Sequence, residues 1–204
     1  MADTLPHIGL APGHSLQATP AQVWEHQRCR IVVDWLALLL RGAGFQVLTP
    51  PLEIFRRSNN TALRHKIDFF NGASVDLVLE LHINACDHPE VDYSTAIYWG
   101  DGAAHSEPGR RLAQALSDAL AAAFPWRTIG PRPMDFFRGR LADEGAGKRH
   151  QYFAFLAETH MPAVIVEPGF LTNPAQRRVF EMPAGVGLYA TACYQALCRF
   201  AGVV

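Results

Sequence analysis

Apolar positions in this chain come in two kinds of run. Some are short, β-branched and closed by proline or glycine; others are longer and repeat every three to four residues, so strands are predicted to interleave with helices. Leu5 to Ala11 reads as a first strand, broken by Pro12-Gly13-His14. Thr19-Pro20-Ala21-Gln22 has the form of a helix start, with a capping threonine, proline in the first turn and a glutamine three residues on. The helix is predicted to run to about Arg41, with Trp24, Ile31, Trp35, Leu38 and Leu39 as its apolar face, and Gly42 and Gly44 end it. Phe45 to Thr49 is a second strand before Pro50-Pro51, and Ala62 to Phe70 is helical up to Asn71-Gly72.

Val75 to His82, VDLVLELH, is a third strand whose period of two puts Glu80 and His82 on one side. Thr95 to Trp99 is a fourth, and Glu107 to Phe124 is an amphipathic helix begun by Ser106. Trp126 to Lys148, rich in Gly, Pro and Arg, reads as a long loop, and Gln151 to Glu158 as a short helix or strand. Ala163 to Val166 is too short and too β-branched for a helix; it is a buried strand ending on Glu167, stopped by Pro168-Gly169. Pro174 to Glu181 and Ala184 to Phe200 close the chain as helices. Strands alternating with helices, with no repeat or linker, predict a single α/β domain over residues 1–204 with a largely parallel sheet.

Composition agrees and narrows the partners. With 204 residues, 49% of them hydrophobic and 18% charged, the chain can bury one sizeable core. A formal net charge of −1 gives no bulk electrostatic reason to bind nucleic acid or an anionic membrane. Membrane insertion is not expected, because the longest apolar candidate, Ile31 to Leu40, is interrupted by Asp34. The N-terminus has no basic region of a secretory signal, which predicts synthesis in the cytoplasm. Cys29, Cys86, Cys193 and Cys198 lack Cys-x-x-Cys spacing and are expected as free buried thiols.

The candidate chemistry follows from the sheet. In a parallel sheet the C-terminal strand ends share one edge, and the helices that follow begin there. His14 after strand one, Glu25 early in the first helix, His82 closing strand three and Glu167 are all predicted at that edge. Two imidazoles and a carboxylate with a fourth position open form the ligand set of a catalytic zinc site. His7, His26, His65, His88, His105, His150 and His160 lack such placement and are expected on the surface.

IGLAPGHS (Ile8 to Ser15), Glu25, DLVLELHINA (Asp76 to Ala85) and VIVEPGFLTN (Val164 to Asn173), in that order, resemble the zinc-dependent N-acetylmuramoyl-L-alanine amidases of the amidase-3 type. The likeness spans nearly the whole chain, and its last motif is the most specific. It implies a mixed sheet of about six strands between helices, with His14, Glu25 and His82 holding Zn2+ and Glu167 as the catalytic carboxylate. It also implies peptidoglycan or a muropeptide as substrate. A monomer is expected, and the absence of a visible signal, wall-binding module and inhibitory helix fits a phage endolysin acting on the cell wall after release, with an exported bacterial enzyme whose signal was removed as the alternative. Asn84 and Asn173 are candidate hydrogen-bond donors to substrate or local caps. Some members of that family carry an inhibitory helix between the regions matching Phe124 and Ala163; none is expected here.

Three departures from the pattern stand out: Ser15-Leu16 after the first histidine, Thr49-Pro50 after strand two, and Glu80 where the family usually has serine. Glu80 shares a side with His82, so it either orients that ligand or lines the substrate cleft. A zinc carboxypeptidase-like or other amidohydrolase, and a silent binding protein on the same scaffold, remain as alternatives.

Overall fold

The computed structural model describes residues 5–101, 104–137 and 153–203. In chain order the strands are β1 (Ile8–Pro12), β2 (Val47–Leu48), β3 (Leu77–Leu81), β4 (Tyr93–Tyr98), β5 (Gly100–Asp101), β6 (Ala104–His105), β7 (Arg127–Pro133) and β8 (Ala163–Glu167). The helices are α1 (Pro20–Gly42), α2 (Leu52–Phe55), α3 (Asn59–Asn71), α4 (Glu107–Ala123), α5 (Ala154–Glu158), α6 (Pro174–Glu181) and α7 (Pro183–Phe200). Six strands form one sheet in the order β2-β1-β3-β8-β4-β7, and β5 and β6 pair separately. All neighbours in the sheet are parallel except β8 and β4, so the single α/β domain has a mixed, mostly parallel sheet as expected.

The period of two divides each central strand between two cores. Leu77, Leu79 and Leu81 of β3 and Val164 and Val166 of β8 join α1, α4 and α7 on one face. Val78 of β3 and Ala163 and Ile165 of β8 join α3 and α5 on the other. Glu80 and Glu167 continue that second series, so both carboxylates lie on the side of the sheet that α3 covers.

Helix α1 starts as the sequence predicts. Thr19 accepts from the Gln22 backbone while the Gln22 side chain reaches back to Thr19, a closed capping box. Its buried face is not the predicted one: Glu25, His26, Cys29, Val32, Val33, Leu36, Ala37 and Leu40 turn inward. Ile31, Trp35 and Leu39 are exposed, Leu38 is 72% exposed, and only Trp24 packs partly against the core. The stretch from Ile31 to Leu40 is apolar on nearly every side, so periodicity alone does not choose a face. The face that packs is the one that carries Glu25 and His26 toward the turn after β1 and Cys29, Val32, Leu36 and Leu40 onto the sheet.

The predicted loop from Trp126 contains a further correction. Arg127–Pro133 is a strand, paired in parallel with β4 through a register shift near Ala96. It sits at the sheet edge, where proline is tolerated because one side of the strand needs no ladder bond. Residues 138–148 of that loop, and with them much of the stretch where no inhibitory helix is expected, lie outside the described residues, as do 151–152 and His150. Residues 154–158 are helical rather than extended. The first strand begins at Ile8 instead of Leu5, the second shrinks to two residues, and Leu52–Phe55 forms a helical turn not anticipated. All four cysteines are free, but Cys86 is only partly buried. Among the described residues no helix is long and apolar enough to cross a membrane.

Candidate active site

The site is built on the turn leaving β1. Gly13 donates its N–H to the Leu81 carbonyl at 2.8 Å, which draws this turn against the end of β3. A Cβ at residue 13 would lie 2.2 Å from His82 Cε1, so glycine is required by the approach of the imidazole itself. His14 follows with φ of 55°, a left-handed conformation uncommon outside glycine that aims its ring back at α1.

From α1, Glu25 enters between the two imidazoles, 3% exposed. Its Oε2 lies 3.1 Å from His14 Nε2 and its Oε1 lies 2.8 Å from His82 Nδ1. Oε1 also accepts the Ile83 backbone N–H at 3.0 Å, which fixes the carboxylate to the chain just after β3. The two rings stand nearly perpendicular at 81°, with centroids 4.9 Å apart. One donor atom from each of His14, Glu25 and His82 lies within 4.8 Å of the others. Two imidazole nitrogens and one carboxylate oxygen in that arrangement fit the donor set and size of a single divalent zinc. The structure therefore brings together the three residues that the sequence nominated.

Glu167 stands at the end of β8 and lines the same cleft, of about 610 Å³. Its Oε2 is buried without a hydrogen-bond partner among the described residues. The turn beyond it is stiff. Asn84 N–H donates to Gly169 O at 2.8 Å, Leu171 N–H returns to Asn84 O at 2.7 Å, and Trp126 Nε1 donates to Pro168 O. Asn84 also lines the cleft, while its Oδ1 accepts from the Ala85 backbone N–H. Asn173 caps α6 through Oδ1 and donates from Nδ2 to Val91 O. Asn173 is not among the cleft-lining residues.

The carboxyl groups are tuned in opposite directions. Burial would raise Glu25, but hydrogen bonds and charge from His14 and His82 outweigh it and bring it down to about 2. Burial likewise opposes ionisation of Glu80, and the charge of Lys66 together with His82 brings it down to about 2. At Glu167 burial raises the carboxyl to about 8; His82 pulls down and the charges of Glu25 and Glu80 add to the rise. Burial disfavours a charged His82, yet Glu25 and Glu80 hold it well above the usual histidine range.

Sequence reasoning missed two contributors. His26, expected on the surface, is 2% exposed, and its Nδ1 lies 2.8 Å from Gly13 O. Burial lowers its pKa, with the Gly13 bond opposing. Lys66 of α3 is also buried, paired with Glu80. The only sequence signal for either was adjacency: His26 to Glu25, and a lysine within one helical turn of the apolar Ala62 and Ile67. The cleft is also lined by Gln22, Asn59, Asn60, Leu63, Phe137 and Phe153, of which only Gln22 belongs to a sequence motif, the capping box of α1.

A family model described as N-acetylmuramoyl-L-alanine amidase, Amidase_3, matches residues 8–199. The chain belongs to that family. The fold agrees with solved structures at low identity. The N-acetylmuramoyl-L-alanine amidase from Clostridium difficile 630 aligns at 18% identity with a TM-score of 0.75, covering 97% of each chain. The amidase AmiC2 of Nostoc punctiforme aligns at 15% and 0.72, covering 98% of each. The catalytic domain of the CD27L endolysin targeting Clostridia Difficile aligns at 20% and 0.68, covering 95% of this chain and 97% of that one. No curated protein sequence matches. Membership places the chain among the peptidoglycan amidases.

Proposed function

We propose that the chain is a zinc-dependent N-acetylmuramoyl-L-alanine amidase, hydrolysing the amide between the lactyl group of N-acetylmuramic acid and L-alanine in peptidoglycan. The observation carrying this reading is the convergence of His14, Glu25 and His82 donor atoms within 4.8 Å, beside the unpartnered carboxyl oxygen of Glu167. His14, Glu25 and His82 would hold the ion, leaving a position open toward the cleft. When bound, zinc supplies Lewis acidity to the scissile carbonyl and brings the pKa of water toward about 7. Glu167 takes the proton of the attacking water and delivers it to the departing amine of L-alanine. The C–N bond breaks, the lactyl carbon gains oxygen, and the products are a free lactyl carboxylate and a peptide with a free N-terminus. Asn84, which lines the cleft, would donate a hydrogen bond to the substrate.

The substrate class puts the site of action at the cell wall, reached after release or export. Incubation with defined muropeptides, with and without chelator, followed by mass analysis, tests the reading. Release of intact stem peptide starting at L-alanine, abolished by chelator, is expected. Release of carboxyl-terminal amino acids would point instead to a carboxypeptidase-like reaction. No product and no bound zinc would leave a binding protein on the amidase scaffold.

A further inference from the structure

Lys66 sits on α3, 1% exposed, with its ammonium between the rings of Phe55 at 5.9 Å and Phe155 at 5.8 Å. It makes two polar contacts. One goes to the Pro12 carbonyl at 3.1 Å, on the turn that carries His14; the other goes to Glu80 Oε1 on β3. The second oxygen of Glu80 lies 3.4 Å from His82 Nε2, on the side of the ring away from the Nδ1 that meets Glu25. One cation thus touches the supports of both histidines.

Stability alone does not account for a charged pair at this depth. Desolvating two ions is costly, and well-packed apolar side chains of similar volume serve a fold equally well or better. What an ionic array supplies and an apolar pair does not is direction. A carboxylate at the outer nitrogen of a ligating imidazole fixes the tautomer and the plane of the ring, turning the inner nitrogen's lone pair toward the metal. Glu80 has the placement for that, and Lys66 holds Glu80 while also fixing the turn that presents His14.

We propose that Lys66 is a positioning residue: through Glu80 it orients His82, and through the Pro12 carbonyl it sets His14, so that both imidazoles are held ready for the ion. The inference rests on the proposed zinc reading. The test measures zinc affinity by competition with a fluorescent chelator, alongside thermal unfolding in chelator, for the parent, Glu80→Gln, Lys66→Met and the double variant Lys66→Met/Glu80→Leu. Each variant is expected to bind zinc about 10- to 100-fold more weakly than the parent, the range for groups that support a metal ligand. The double variant should unfold at the parent temperature or above.

A double variant that is as stable as the parent and binds zinc within twofold of it would overturn the inference while leaving the zinc reading intact. Should the double variant fail to fold, Glu80→Gln decides by the same criterion, since it keeps the side-chain volume. A parent that binds no zinc overturns both.

Discussion

Across one cleft, the end of β3 and the end of β8 treat carboxylates in opposite ways. At the β3 end Glu25 lies between two imidazoles and Glu80 against Lys66, and both are held down to about 2. At the β8 end Glu167 Oε2 has no hydrogen-bond partner among the described residues, and burial pushes the carboxyl up to about 8. The residue type is the same; the partners differ. Carboxylates with cationic or imidazole partners stay charged, as the proposed ligand and strut roles require, whereas Glu167, whose Oε2 has no partner among the described residues, keeps its affinity for a proton. That separation of environments assigns roles within an acid–base site.

The largest effects should come from exchanging the two ends. His82→Ala is expected to lose bound zinc and amidase activity together, whereas Glu167→Ala should keep zinc and lose about 10²- to 10⁴-fold in turnover. Metal analysis and muropeptide turnover on the same preparations distinguish them, and undiminished activity in Glu167→Ala would remove the β8 end from the chemistry.

A smaller effect concerns pH. The folded-state pKa of Glu167 near 8 lies above its ordinary 4.5, so the folded chain binds the extra proton between those values. The stability this contributes is fully present below about 4.5 and is lost as pH rises through about 8, at no more than about 1.4 kcal/mol per pH unit. In chelator, urea unfolding of the parent should weaken relative to Glu167→Gln as pH climbs from 5 toward 8. Parallel stability curves would mean that burial does not raise the Glu167 carboxyl.

The smallest effect tests the scaffold of the β8 end. Asn173→Ala removes the cap of α6 and the tie to Val91, and should cost about 0.5–2 kcal/mol without changing zinc affinity. Chemical unfolding and chelator competition check the two halves of that statement.

What could be read in the sequence was what sits where a strand stops. His14, His82 and Glu167 each follow a short apolar run, and the stops at Gly13 and Pro168-Gly169 fix their place at one edge whatever the details of packing. Lys66 could not be read this way, because a lysine on an amphipathic helix ordinarily faces water, and its burial depends on Glu80 and the Pro12 carbonyl, which only the fold brings to it. The buried face of α1 was ambiguous because Ile31 to Leu40 is apolar on almost all sides. Strand β7 was hidden by two prolines and Gly130, whose φ of 74° and lack of a side chain resemble a loop until the edge of the sheet is known.

Strand β4 runs against β8, with Thr95 opposite Glu167, so the chain reaches β4 without first crossing to the far side of the sheet. Residues 84–92 therefore remain beside the catalytic edge, fastened by the bridge from Asn84 to Phe170, by Cys86 N–H to Thr172 Oγ1 and by Asn173 to Val91. Between those fastenings, insertions can accumulate over evolution without altering the register of any strand. A longer loop between those fastenings would reshape the rim of the cleft and leave the residues beneath it in place.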